Sequence, residues 1–310
     1  MKKRLLLILL CFAVLLPFYA GAADGARAFA FGVMDFPELP KDMRLQAAID
    51  RIRPGQLAFV VVNGVRAKDE SCADALYSER KSLLEESDKP LFLSMAGNDW
   101  IGCKNEEGQD IRRERLQRLR EMLFDGDASF GMVSLPLVRQ SSSSRYSDFS
   151  ENIYWQYNDT LFATLHLPAG NNHYLSEAGG NNEFEERQLA NRDWLLRVFT
   201  LARRSRLGGI VIFCDGNPFG NHASRESSSR DGFREIRQLL TRLTTAFSGK
   251  VLLVHSEASS PNRAIAWKGN LGVVAAGSQW LEIRVNPGGP YLFSVNRPLA
   301  ARRKARQDRR

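Results

Sequence analysis

Small or polar residues end six apolar, strand-like runs of this sequence. The breaks lie at residues 34–37, 62–65, 95–99, 167–172, 214–218 and 254–257. They contain carboxylates, side-chain amides and one imidazole, groups that bind metal ions or transfer protons. The candidates among them include Asp35, Asn98, Asp99, Asn171, Asn172, Asp215, His255 and Glu257. In α/β proteins, ligands and metals gather where the carboxyl ends of strands open into loops. We therefore expect these breaks to form parts of one site.

Other chemistries lack their sequence signatures. Serine, histidine and aspartate are all present, but no Gly-x-Ser-x-Gly elbow follows a strand. No glycine-rich phosphate loop of the P-loop type occurs. Cys72 and Cys103 do not stand in the close pairs that bind metal.

The first half of the chain alternates strand and helix patterns, which indicates a mixed or parallel central sheet. The predicted strands are 28–34, 57–62 and 91–95, and the predicted helices are 43–52, 73–84 and 111–124. In the second half, strand patterns flank two further helices. The predicted strands are 153–157, 161–167, 210–214, 251–255 and several short ones within 263–295, and the helices are 184–204 and 236–247. This order favours an α/β sandwich of two sheets with helices outside.

The two ends of the chain differ from its body. Residues 1–22 have the pattern of a secretory signal peptide, with Lys2, Lys3 and Arg4 before an apolar run and small residues at a cleavage site. We expect export to the periplasm or beyond, one domain over 23–296, and no transmembrane span in the mature chain. A retained N-terminal anchor is the alternative.

The basic charge of the chain is concentrated at its ends. The formal net charge is +8, of which residues 2–4 contribute three and the segment 297–310 six, so the body carries −1. A body of this charge does not indicate sequence-specific nucleic-acid binding. The segment 297–310 is either a disordered, solvated tail or a contact for anionic surfaces.

Three cysteines follow the predicted signal peptide. Cys72 and Cys103 each come shortly after one of the polar breaks, and an exported protein meets oxidising conditions. We predict a disulfide between them, which would link two loops of the site. Cys214 ends an apolar run and is expected to be a buried free thiol.

The order of these motifs resembles the calcineurin-like metallophosphoesterases, and more closely an exported bacterial branch of that family. The resemblance covers about residues 28–295. It rests on Val-Val-Val-Asn-Gly at 60–64 with the helix start at 72–77, Ala-Gly-Asn-Asp-Trp at 96–100 with Cys103, the segment 161–172, and Val-Leu-Leu-Val-His at 251–255. It implies a four-layer αββα domain with two mixed sheets.

The same resemblance implies a chemistry. In that family two divalent metals, Mn, Fe or Zn, are held by Asp, His and Asn side chains with one bridging Asp between them. The metals polarise a phosphoryl oxygen and lower the pKa of a bound water, which attacks the ester. The resemblance therefore points to a phosphoric ester hydrolase with a phosphorylated or anionic ligand.

Several metal-ligand positions of the family are altered in this chain. Asp35 is kept, but the next ligand position is Pro37 and the bridging position is Val65, whose side chain cannot bind a cation. Asp215 replaces a histidine, and the two closing imidazoles are absent from 256–259. Two cations a few ångströms apart repel strongly without an anion between them, so we expect one metal or none.

The third motif admits two alignments. One keeps Asn98 as a metal ligand and places Asp99 at the general-acid position. The other, which also matches Trp100 and Cys103, places Gly97 at the metal-ligand position and Asn98 at the general-acid position. We prefer this second alignment.

The surviving metal-ligand candidates are Asp35, Asp215, His255 and Glu257, with Asn171 and Asn172 in a ligand loop. Each has a purely structural alternative, such as shaping a turn or filling the core. We expect a metallophosphoesterase-like protein with a degenerate dinuclear site and weak or lost hydrolysis. The alternatives are an active phosphoesterase with a reduced ligand set and an envelope interaction protein.

Overall fold

The computed structural model describes residues 27–36, 57–176, 180–220, 230–257, 264–277 and 281–296. The predicted signal peptide, the tail 297–310 and the predicted helix at 43–52 lie outside the described residues. So do Pro37 and Ser259, two of the altered ligand positions.

The described residues form twelve strands and four regular α-helices. The strands are β1 Phe29–Asp35, β2 Val60–Asn63, β3 Leu91–Ser94, β4 Val138–Arg139, β5 Ile153–Tyr157, β6 Thr160–Thr164, β7 Gly209–Cys214, β8 Lys250–His255, β9 Ala266–Lys268, β10 Leu271–Ala275, β11 Leu281–Val285 and β12 Phe293–Asn296. The helices are α1 Asp74–Glu85, α2 Arg112–Leu123, α3 Asn182–Arg204 and α4 Arg234–Thr245. Short 3₁₀ turns lie at Gly97–Asp99, Gln140–Ser142 and Ser144–Tyr146.

These strands form two mixed sheets. The first has the order β12-β11-β1-β2-β3, in which β1, β2 and β3 are parallel. The second has the order β4-β5-β6-β7-β8-β10-β9, in which β6, β7, β8 and β10 are parallel. The carboxyl ends of the parallel strands in each sheet therefore open into loops at one edge.

The strands β1, β2, β3, β6, β7 and β8 are buried on both faces, which explains their nearly continuous apolar runs. In β1, Phe31 and Val33 belong to the core between the sheets, whereas Ala30 and Met34 belong to a second core beneath α1 and α2. The core between the sheets is rich in aromatic rings, and Phe92 stacks on a ring of the other sheet. The third core lies between the second sheet and the helices α3 and α4.

The layers of the described residues are thus helix, sheet, sheet and helix. The predicted α/β architecture with two mixed sheets is confirmed at this level. Helix α3 begins at Asn182 rather than 184, and β6 ends at Thr164, because the residues after it turn into a loop. None of the helices in the described part of the chain is long and apolar enough to cross a membrane.

Candidate functional site

The polar ends of the parallel strands meet beside the aromatic core. Side chains alternate across a strand, so Asp35, Asn63 and Ser94 continue the face of β1, β2 and β3 that looks toward the second sheet. These three residues are neighbours in the strand register. Asp215 follows β7 and lies opposite them. The first sheet therefore presents a polar row to a carboxylate of the second.

An amide lies between two carboxylates at this point. Asn63 Nδ2 donates to Asp35 Oδ1 at 3.3 Å and to Asp215 Oδ1 at 3.4 Å. All three residues are buried, with exposures of 2% for Asp35, 4% for Asn63 and 8% for Asp215. We call Asp35, Asn63 and Asp215 the strand-end cluster.

Asp215 connects the loops of both sheets. Its Oδ2 accepts the backbone amides of Gly97 at 2.8 Å and Ala169 at 2.9 Å. Its backbone carbonyl accepts the amides of Ser256 at 3.0 Å and Glu257 at 3.1 Å. Burial raises the pKa of Asp215, and the hydrogen bonds from Ala169, Gly97 and Asn63 oppose this shift.

Val65, the predicted bridging position, does not face the cluster. Its side chain is fully buried in the core beneath α1 and α2. Asn63, which was not among the candidates predicted from the sequence, instead occupies the position between the two carboxylates. Strand alternation could have identified Asn63, because it has the same parity as Phe59 and Val61, which pack between the sheets.

Asp99 serves the backbone of the neighbouring turns. Its carboxylate accepts the amides of Val65 at 2.8 Å, Arg66 at 3.1 Å and Ala96 at 2.9 Å. Burial raises the pKa of Asp99 to about 6, although these three hydrogen bonds act in the opposite direction. Asn98 is half-buried beside it. Within the segment 97–99, the hydrogen bond to the cluster comes from the Gly97 amide.

The other two predicted metal ligands lie apart from the cluster. His255 has the parity of Val251 and Leu253, which pack against the helices, and it lines a cleft of about 870 Å³ between α4 and β10. Burial lowers its pKa to about 4. Glu257 Oε2 accepts the amide of Asn217 at 2.9 Å. Of the four predicted ligands, the structure brings Asp35 and Asp215 together.

Asn171 and Asn172 lie in a left-handed turn. Gly170, Asn171, Asn172 and His173 have φ values of 69°, 61°, 56° and 52°. Such a run costs energy for residues other than glycine and persists only when its surroundings hold it. The two asparagine side chains are hydrogen-bonded within the protein, and they shape the turn that carries the amide of Ala169 to Asp215.

The contacts of this turn are specific. Asn171 Oδ1 accepts the amide of Gly232 at 2.8 Å, and Asn172 Nδ2 donates to the Gly232 carbonyl at 3.0 Å. Arg187 donates to the side-chain oxygen of Asn172 and, at 3.0 Å, to its carbonyl. A Cβ at position 232 would lie 2.3 Å from the Asn171 carbonyl, so this approach requires glycine.

A buried charged network, which no sequence pattern predicts, supports the loop after β6. Glu151 accepts two hydrogen bonds from Arg120, at 2.7 and 2.9 Å, and contacts His166 Nδ1 at 2.8 Å. Burial alone would raise the pKa of Glu151, but the Arg120 charge and the His166 hydrogen bond hold it well below its usual range. These residues are far apart in sequence and carry no motif.

Cys72 and Cys103 are bonded to each other, with Cα atoms 5.7 Å apart, as the sequence analysis predicted. The bond links the start of α1 to the loop after β3. Cys214 is a buried free thiol whose pKa is raised by burial.

The strand-end cluster does not fit a dinuclear metal centre as it stands. Both oxygens of Asp215 accept hydrogen bonds, and Asn63 turns a donor group toward the two carboxylates. Within the described ranges, no group of three or more His, Cys, Asp or Glu side chains is arranged to hold a metal. No protein-family model matches this sequence, and no curated protein is significantly similar to it.

Proposed function

We propose that the protein is an exported, calcineurin-like metallophosphoesterase-fold protein whose dinuclear centre has degenerated. Its phosphoester hydrolysis is weak or lost, and the former site or its rim serves to bind an anionic ligand or a protein partner. The observation that carries the proposal is the strand-end cluster, in which an amide stands between two carboxylates at the edge where the parallel strands of both sheets end.

Three features support this reading. The order of the motifs along the chain is similar to that of the metallophosphoesterase family. The helix–sheet–sheet–helix layering accords with the four-layer fold of that family. The site retains carboxylates from β1 and from the loop after β7. A disulfide beside the site accords with an oxidising, periplasmic or extracellular location.

The geometry favours a protein that has lost both metals over an enzyme that works with a single metal. A single-metal site built on Asp35 and Asp215 would need a third ligand from His255 or Glu257. His255 faces the helices, and Glu257 accepts a backbone amide of the β7 loop. Metal ions need several ligands in defined geometry, and these side chains do not supply it.

The test is metal analysis and turnover of the purified mature chain. We expect fewer than two equivalents of transition metal per chain. Hydrolysis of an aryl phosphate with added Mn²⁺ should be at least about 100-fold below the median enzyme turnover of about 10 s⁻¹. Asp215→Asn, prepared identically, is the control, because activity equal in both preparations comes from a contaminant. Two bound metals with ordinary turnover that Asp215→Asn abolishes would refute the proposal.

A further inference from the structure

We infer that Asn63 closes a latent site for one hard divalent cation between the two sheets, by placing its amide nitrogen between Asp35 and Asp215 where the cation would stand. The inference rests on the proposed function in treating the strand-end cluster as the remnant of a metal site. It adds that one residue excludes the cation and that the remaining ligands are still in position.

The orientation of the Asn63 amide follows from its neighbours. Ionised carboxylates only accept hydrogen bonds, so the NH₂ group must face Asp35 and Asp215. Its Nδ2 lies 3.3 and 3.4 Å from their Oδ1 atoms. Turning the amide over would place its oxygen against two carboxylates. The amide thus supplies a donor to each carboxylate, a role that a bound cation would otherwise fill.

Two buried oxygens beside the cluster have no partner. Asn63 Oδ1 and Ser94 Oγ lack hydrogen-bond partners in the described part of the chain, although Asn63 is 4% and Ser94 1% exposed. They are neighbours in the register of β2 and β3. Buried polar atoms are satisfied in the great majority of cases, so unpartnered ones indicate a site for a water or an ion.

An aspartate at position 63 would complete a cation site. The carboxylates of residues 35, 63 and 215 would converge from the ends of β1 and β2 and from the loop after β7, with the Ser94 hydroxyl on the neighbouring strand β3. All these ligands are oxygens, and oxygen sites suit Mg²⁺, Ca²⁺ and Mn²⁺ rather than metals that prefer nitrogen or sulfur. Without a cation, three buried carboxylates repel one another.

Val65 offers a matched control. Val65→Asp introduces the same charge two residues later in the same turn. The side chain of Val65 faces the core beneath α1 and α2, so its carboxylate would not join the cluster. A metal effect shared by both variants would reflect added charge alone.

The experiment measures the melting temperature of the full mature chain and its variants after EDTA treatment, with and without 1 mM Mn²⁺ or Ca²⁺. Wild type should not shift. Asn63→Asp should melt lower in EDTA and rise by about 3 °C or more with the cation, a shift of the size expected for about 1 kcal/mol in a domain of this size. Titration calorimetry should give one cation per chain. Val65→Asp should not respond.

A folded Asn63→Asp that binds neither cation would overturn the inference, as would equal stabilisation of wild type or of Val65→Asp. If Asn63→Asp does not fold in EDTA, refolding in Mn²⁺ decides: recovery of the folded state supports the inference. Asn63→Ala removes the amide but adds no third carboxylate, so it should not respond to the cation, and a rise equal to that of Asn63→Asp would overturn the inference. If Asn63→Asp does not recover its fold in Mn²⁺, the inference is also overturned.

The two proposals fail separately. A metal-free, inactive wild type with an unresponsive Asn63→Asp would refute the inference and leave the proposed function standing. A wild type that binds two metals and turns over phosphate esters would refute the proposed function directly.

Discussion

Asp215 Oδ2 accepts a hydrogen bond from the backbone amide of Gly97, 2.8 Å away, although the two residues belong to loops of different sheets. A Cβ at position 97 would lie 3.3 Å from this oxygen and 3.3 Å from the Cβ of Pro168. Glycine therefore permits the close approach of the two loops. The carboxylate of Asp215 is a principal link between the sheets at their strand ends.

Asp215→Asn should destabilise the protein because its new NH₂ group would face other hydrogen-bond donors. If the new NH₂ group faces Gly97 and Ala169, it meets two backbone amides, and if it faces Asn63 it meets another NH₂ group. We expect a loss of about 1–3 kcal/mol in the free energy of unfolding, the usual cost of unsatisfied buried polar groups. Urea titration measures it. The exposed Asp148→Asn should change stability by less than about 0.5 kcal/mol, and equal losses in both variants would contradict the role given to Asp215.

Val65→Asp should destabilise the protein strongly without producing phosphatase activity. The position is fully buried among apolar side chains, and an unpaired carboxylate there costs about 3 kcal/mol or more. Val65→Thr has nearly the same shape and adds only a hydroxyl, so its cost should be smaller. Melting temperatures compare the two, and aryl phosphate turnover with Mn²⁺ checks activity. Robust metal-dependent turnover of Val65→Asp would show that this position does reach the site.

The architecture was predictable because its signals are local. Apolar runs, helical periodicity and the polar breaks after strands are properties of neighbouring residues, and they placed Asp35 and Asp215 in one site. The face of the sheet toward which each side chain points was harder to predict. His255 is the last residue of β8 and Asp215 directly follows β7, yet His255 packs toward the helices and Asp215 toward the first sheet.

The missed residues have a common cause. For Asn63, the family resemblance places the bridging ligand two residues along, at Val65, whereas strand parity selects Asn63. The Glu151–Arg120 pair joins residues 31 positions apart, and no spacing rule predicts which buried glutamate meets which arginine. Such pairings depend on the packed structure and are not encoded in any short segment.

The Cys72–Cys103 bond should leave one free thiol in denatured protein that lacks residues 1–22. That thiol is Cys214, and Cys214→Ser should leave none. Closing a loop with a sequence separation of 31 residues should stabilise the fold by about 3–4 kcal/mol in the chain-entropy model. Comparing urea unfolding of wild type and Cys72→Ser/Cys103→Ser measures that difference. Three free thiols in protein purified from an oxidising compartment would contradict the bond.

The contribution of His255 to stability should be lost as the pH drops below about 6.5. Burial lowers the folded-state pKa of His255 to about 4, while an unfolded histidine titrates near 6.5. Between these values the unfolded chain binds a proton that the folded chain does not, so acid favours unfolding. From pH 7.5 to 5, this single residue should account for a loss of about 2 kcal/mol.

His255→Gln should remove that part of the pH dependence. Other groups titrate in the same range: the folded-state pKa values of His166 and His173 are lowered, whereas those of Asp99 and Asp215 are raised and act in the opposite direction. The prediction is therefore the difference between the two proteins, with the variant losing about 2 kcal/mol less than wild type between pH 7.5 and 5. Urea unfolding at pH 7.5, 6.5, 5.75 and 5 gives both profiles, and the comparison uses the change in each protein relative to its own value at pH 7.5. This removes any loss of stability that His255→Gln causes at neutral pH. Parallel profiles for the two proteins would contradict the lowered folded-state pKa of His255.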